Sequence, residues 1–314
     1  MPLNEIVLPQ DGTEIKEGTL LMIFAPAGSA AEGQLRALFG LKGVGEAFAA
    51  GQLDSTSVLL PLRLMLEDLG LELNKPLPEA ERWTEKLLQT FGGKDFPKTA
   101  VFSEFARTSV TQEVDALHSP DATLMTWMEQ EEILFRLYEK HLVQVRLRVG
   151  FGASGDDVDE FISYSLGVQN RRKSRVGHAF EGHIAHLFDL HKVPYEQGRG
   201  KTRITENNAK PDFLFPSFAD YHDASYPASS LMMLGAKTTC KDRWRQVLSE
   251  AKRIPNKHLI TLEAAISEAQ TKEMASHGLQ LVIPQSIHST YTSAQQQNLW
   301  NVDSFIVAAK KLKA

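Results

Sequence analysis

Three residues in the second half of the chain have the types and spacing for chemistry on a phosphate. Asp212 sits in Lys-Pro-Asp-Phe-Leu-Phe, Lys237 ends an apolar run that begins at Leu231, and Glu250 follows further on. Carboxylates gathered at one edge suit Mg²⁺, a hard cation that takes oxygen ligands. Such an ion lowers the pKa of its bound water and neutralises phosphate charge. A lysine beside it can orient or deprotonate the nucleophile and stabilise developing charge. The chemistry that fits is metal-assisted phosphodiester hydrolysis. Glu181, next to Phe180 on an earlier predicted helix, can add a fourth group. Spacing alone leaves other readings open. Pro-Asp is a common turn start, and Glu250 can pair with a lysine on its own helix. The common nuclease pattern also places an acid two residues before the lysine, where this chain has Gly235. Glu250 lies three residues past Val247, so it flanks the buried stripe of its helix and can face back toward Lys237 in place of that acid.

The elements that must position these groups follow from periodicity. Residues 19–25 predict a buried strand, and residues 59–73 and 79–91 predict helices. Residues 112–123 are the best boundary, with Ser119 or Asp121 able to cap a helix over 122–148. Apolar residues at Val176, Phe180, Ile184, Leu187 and Phe188 recur at helical spacing, which predicts a helix over 174–191. Short strands are predicted over 193–196 and 211–215, and a buried central strand over 231–237. A helix over 241–254, a strand over 258–262, a helix over 267–277 and a strand over 279–283 complete the series. That order predicts an α/β fold, a mixed sheet sandwiched by helices. Residues 150–155 spell GxGxxG. No buried strand precedes them and no acidic residue follows at the required distance, so they read as a hinge loop and not a dinucleotide site.

The net charge of −5 is unevenly spread. Residues 170–257 hold 16 Lys/Arg against 9 Asp/Glu, a local +7, whereas residues 1–117 hold 10 against 17, or −7. Phosphate contacts need clustered cations, not a basic average. Arg171, Arg172, Lys173 and Arg175 are candidate phosphate contacts, or else a solvated helix face. His183 and His186 come close to facing one another, but solvated or core histidines are the commoner case. Tyr221, Tyr226 and Tyr291 can approach a phosphate or simply pack. The single cysteine, Cys240, excludes an intrachain disulfide. With no signal peptide or long apolar span in view, a cytoplasmic protein without membrane contact is expected.

Four separated motifs occur in order. They are Asn170-Arg-Arg-Lys-Ser-Arg175 with Glu181, Lys210-Pro-Asp-Phe-Leu-Phe-Pro216, Lys237-Thr-Thr-Cys-Lys-Asp-Arg-Trp-Arg245 with Glu250, and Lys257-His-Leu-Ile-Thr-Leu262. Together they resemble the catalytic domain of EcoRII-type restriction endonucleases, members of the PD-(D/E)xK nucleases that cut CCGG or CCNGG sites. The resemblance implies a restriction-endonuclease-like mixed central sheet flanked by helices over residues 123–314, and leaves residues 1–117 as a separate α+β region of unknown role. It implies that the acid missing at Gly235 is moved to Glu250, and that Glu181 belongs to the site. It implies that Asp212, Glu250 and Glu181 hold Mg²⁺. It also gives Lys241, Asp242 and Arg243 a role in reading CC:GG, since Lys and Arg donate to guanine and a carboxylate accepts from cytosine N4. Thr239 to Asp242 fits a capping box as well. The implied partners are double-stranded DNA and a second copy in a homodimer, with a methyltransferase protecting the same palindrome. Two alternatives are a repair or junction-resolving nuclease reading DNA shape, and a non-catalytic DNA-binding module.

Overall fold

A computed structural model describes residue 60 and residues 79–200, 202–240 and 243–312. The strand predicted over 19–25 and nearly all of the helix predicted over 59–73 lie outside these residues, as do Lys241 and Asp242.

Helices come first. α1 (Ala80–Phe91) and α2 (Thr99–Ser109) pack on α3 (Pro120–Val149), which forms a long hairpin with α4 (Val158–Leu190). Leu87, Phe102, Ala106, Leu134, Phe135 and Tyr138 make a separate small core where α1 and α2 meet α3. Helix α3 opens on Pro120, a residue suited to the first helical position because its missing N–H would be unsatisfied there anyway. The expected cap differs from the one observed. Ser119 holds the cap position without a side-chain hydrogen bond. Asp121 instead accepts from the backbone N–H groups of Gln285 at 3.0 Å, Val302 at 2.9 Å and Asp303 at 3.0 Å, and so caps the C-terminal helix.

Helix α4 begins sixteen residues before the expected start at 174. Gly167 and the polar run that follows it hide the periodicity before residue 174, and α3 packs against the helix. The GxGxxG segment is the tight turn between α3 and α4. Phe151 N–H donates to Gly155 O at 3.0 Å, and Asp157 N–H donates to Phe151 O at 2.9 Å. Gly150 has φ +82°, and a Cβ there would stand 2.7 Å from Gly155 O. This glycine serves a backbone approach within the turn.

The sheet has four strands in the order β1 (Phe213–Phe215), β2 (Met232–Lys237), β3 (Lys257–Thr261), β4 (Leu279–Val282). β1 runs antiparallel to β2, and β2, β3 and β4 are parallel. This is the mixed sheet expected. β1 and β3 are buried throughout, as strands covered on both faces are; β1 is wholly apolar, whereas β3 buries Lys257, His258 and Thr261 beside Leu259 and Ile260. The connections carry α5 (Phe218–His222), α6 (Trp244–Ser249) and α7 (Glu268–Ser276), and α8 (Ser293–Gln296) and α9 (Val302–Lys311) close the chain. The strand expected over 193–196 is reduced to one bridge, Glu196 to Leu214. Phe188 of α4 joins the sheet to α9, with its ring centroid 5.4 Å from Phe213, 5.3 Å from Phe215 and 5.8 Å from Phe305. Each such ring contributes roughly 1.5–3 kcal/mol by leaving water. Among the described residues no helix is long and apolar enough to cross a membrane.

Candidate active site

The antiparallel register pairs Phe213 with Leu234, which carries Asp212 alongside Gly235 at the end of β2. There Asp212 Oδ2 accepts from Ala236 N–H at 2.7 Å and from Lys237 Nζ at 2.6 Å. The backbone bond fixes the carboxylate before the lysine reaches it. Gly198 closes this corner from the other side. Its N–H donates to Pro211 O at 3.0 Å, and a Cβ at position 198 would stand 2.5 Å from that oxygen. Only glycine lets the backbone come so near.

Gly235 has an equally direct cause. A Cβ there would meet Val247 Cγ2 at 2.8 Å. Helix α6 lies on β2 at the position where the common nuclease pattern needs an acid, so an aspartate or glutamate has no room. The acid arrives from beyond α6 instead, though not as the sequence suggested. The helix expected over 241–254 ends at Ser249, and Glu250 follows in extended backbone at φ −85°, ψ 150°. Loops distant in sequence hold that exit. Ala251 N–H donates to Thr205 Oγ1 at 3.3 Å, Lys252 N–H to Glu206 Oε2 at 3.1 Å, and Arg253 N–H to Tyr221 Oη at 3.3 Å. Ala251 itself is buried at φ +46°, a left-handed conformation that alanine adopts only when its surroundings impose it.

Glu181 reaches the same edge from α4 and pairs with Arg199 at 3.3 Å. Burial raises its carboxyl pKa, and the charge of Asp212 raises it further, against the opposing pull of Arg199 and Lys237. Glu250 is pushed up to about 7, first by burial and then by Asp212, with Lys237 and Lys257 opposing. Three carboxylates thus crowd one lysine. Among the described residues no three His, Cys, Asp or Glu side chains are already close enough to grip a metal ion together. Glu250 Oε2, however, is buried without a hydrogen-bond partner. An orphaned carboxylate oxygen beside another acid is costly in isolation and is the kind of donor a hard cation takes.

The other expected residues fare differently. Arg175 is corrected from phosphate contact to core. It is 6% exposed, pairs with Glu131 at 3.3 Å, and lies 4.2 Å from the Phe102 ring and 4.9 Å from that of Phe135. Successive helical residues point about 100° apart, so a run of cations cannot all face one way. Arg172 reaches Glu139 at 2.6 Å, whereas Arg171 and Lys173 are exposed. His183 is fully buried. Its Nδ1 is 3.2 Å from Arg107, and its Nε2 is 2.9 Å from Glu131 but off the line a hydrogen bond needs. Burial lowers its pKa, so it is a neutral core histidine. Tyr221 and Tyr291 are buried, donating to Glu206 at 2.7 Å and to Glu263 O at 2.5 Å. Arg243 is exposed at the start of α6, and Cys240 N–H just before it donates to Glu263 Oε2 at 2.6 Å. The sequence reading missed Arg199, Gly198 and Lys257. Lys257 is 7% exposed, donates to Ile254 O at 2.8 Å, and lends positive charge to Glu250. It heads the fourth of the sequence motifs, which gave it no role.

The architecture is that of restriction endonucleases. The PspGI–substrate DNA complex superposes with a TM-score of 0.55 at 17% identity, over 69% of this chain and 93% of that one. Metal-depleted Ecl18kI with uncleaved, modified DNA gives 0.54 at 14% identity, over 74% and 84%. The chain belongs to the EcoRII C-terminal family, whose profile matches residues 135–306, a span that includes Glu181, Asp212, Lys237 and Glu250. The type II restriction enzyme EcoRII of Escherichia coli is 42% identical over 212 residues, 68% of this chain and 51% of that protein. The chain therefore spans about half the length of this relative.

Proposed function

We propose that this protein is a type II restriction endonuclease that hydrolyses double-stranded DNA with Mg²⁺ at a short palindrome with a CC…GG core. The observation that carries the reading is the unpartnered, buried Glu250 carboxylate beside the Asp212–Lys237 pair, in a chain of the EcoRII C-terminal family. Asp212 and Glu250 would hold the ion, with Glu181 as a further oxygen donor. Bound there, Mg²⁺ would acidify its water and neutralise charge on the scissile phosphate. Lys237 Nζ, kept at the site by Asp212 Oδ2, orients the attacking water and faces the charge that builds on the phosphate. Glu250 must give up its proton before it can serve, and its raised pKa places that event near neutrality.

Reading of the site falls to Lys241, Asp242 and Arg243, which follow the lysine by four to six residues in sequence. Arg171 and Lys173 are left as the exposed candidates for phosphate contact. The protein works as a homodimer, one site per strand, in the cytoplasm beside a methyltransferase that protects the same sequence. Incubation with phage DNA and Mg²⁺ tests the reading. Discrete fragments support it, and a smear, junction products only or intact DNA overturns it. Asp242→Ala should lose site discrimination while keeping salt-sensitive binding to random DNA, and persistent site preference would remove that residue from base reading.

A further inference from the structure

The segment that brings Arg199 to Glu181 is fixed at its root and loose at its tip. Glu196 and Leu214 exchange backbone hydrogen bonds at 2.9 and 2.8 Å, and Gly198 N–H donates to Pro211 O at 3.0 Å. A Cβ at position 198 would stand 2.8 Å from the Lys210 carbonyl carbon, so this backbone is pressed against the chain leading into Asp212. The Arg199 side chain, by contrast, is 58% exposed. Among the described residues its guanidinium makes one hydrogen bond, from Nη2 to Glu181 Oε2 at 3.3 Å. That is one long bond from a group with five N–H donors. A cleft of about 420 Å³ opens beside it, lined also by Tyr195 and Arg203, and gives the side chain room to turn.

Glu181 depends on this partner. It is 22% exposed, and burial and the charge of Asp212 both work against its ionised form. Arg199 opposes them more than Lys237 does, and Lys237 Nζ is bonded to Asp212. An oxygen that accepts from a guanidinium is closed to a hard cation, and the two positive charges repel. A half-exposed ion pair is weak, so breaking it costs little.

We infer that Arg199 is a displaceable counter-ion, which neutralises Glu181 until a divalent cation takes the carboxylate and then turns to a DNA phosphate at the same edge. The inference rests on the proposed function, from which it takes the cation and the DNA. A freed guanidinium suits a phosphate, which it can grip with two parallel bonds. Cation and DNA then favour each other's binding through one side chain.

Two measurements on the full chain test it. The first follows melting temperature against MgCl2 without DNA. Arg199→Ala should reach half of its metal-induced shift at about threefold lower Mg²⁺ than wild type. Arg203→Ala removes a neighbouring cation that pairs with Glu196 instead, and should keep the wild-type midpoint. The second follows binding of a duplex without a CC…GG core as KCl is raised. Without divalent cation, wild type and Arg199→Ala should give the same slope of log affinity on log salt. With CaCl2, another hard cation for oxygen ligands, the wild-type slope should be steeper by about 0.9, one phosphate contact. An unchanged or higher Mg²⁺ midpoint in Arg199→Ala would overturn the inference, as would an equal shift in Arg203→Ala. So would a slope difference that is missing with CaCl2 or already present without it. If wild type itself shows no shift with Mg²⁺, the metal reading of the site falls and the inference falls with it. If wild type and Arg199→Ala shift alike, only the inference falls.

Discussion

Two clusters of charge lie along the same helix, and they are built on opposite terms. At His183 and Arg175, α4 faces Glu131, with Arg107 arriving from α2: one buried acid is surrounded by two guanidinium groups and an imidazole. At Glu181, the same helix faces Asp212 and Glu250, and three acids gather about Lys237, with the half-exposed Arg199 beside Glu181 and the buried Lys257 opposite Glu250. In the first cluster the two guanidinium groups also feel Glu104, Glu132 and Asp189, so acids and cations are matched and join helix to helix. The second leaves a buried carboxylate oxygen of Glu250 with nothing to bind. A buried carboxylate oxygen without a partner is a standing cost to the fold, and on the proposed function a bound cation would relieve it. On the proposed function, the contrast separates charge that holds the molecule together from charge kept for chemistry.

Substitutions can break or sharpen this contrast. The largest effect on stability is expected in the balanced cluster. Glu131→Ala leaves Arg175 buried without its partner and should cost ~3–5 kcal/mol, read as a lower urea midpoint. At the carboxylate site, Lys237→Ala or Asp212→Ala should slow single-turnover cleavage at least about a hundredfold, ~3 kcal/mol of transition-state stabilisation, with specific DNA binding retained. Glu250→Gln should act in the opposite sense on stability. The ordinary value for this carboxyl is 4.5 and the folded one about 7, so the folded state holds a proton that the unfolded chain releases. Stability therefore falls as pH rises through that window, and above it the full cost is about 3 kcal/mol. The glutamine variant escapes that cost. Its melting temperature without Mg²⁺ should exceed that of wild type at pH 8 and converge with it near pH 4.5. The smallest effect concerns Gly235. Gly235→Asp restores the common pattern on paper but drives a side chain into Val247, so it should cost ~1–3 kcal/mol and fail to rescue a Glu250 variant.

Much of this was legible before any coordinates. Asp212 and Lys237 lay at the ends of apolar runs that could only be strands, and antiparallel pairing of consecutive strands brought them together. Glu250 was legible as a residue but not as a geometry. Its stretch has helical periodicity through Ile254, yet the helix stops at Ser249 because Thr205, Glu206 and Tyr221 take the backbone N–H groups of Ala251, Lys252 and Arg253. Nothing local announces partners so far away in sequence. Arg175 misled for the reverse reason. Its neighbours 171–173 look like a phosphate clamp, and only the helix phase against α3 shows that it points inward. Asp121 looked like a cap for its own helix and serves another.

The central claim is that Glu250 stands in for the acid that Gly235 cannot carry. The most direct test is single-turnover cleavage of phage DNA in Mg²⁺ at pH 8 by wild type and Glu250→Gln, both confirmed to bind the DNA. The account predicts discrete fragments from wild type and a rate at least about a hundredfold lower from the variant. Cleavage by Glu250→Gln at the wild-type rate would contradict it.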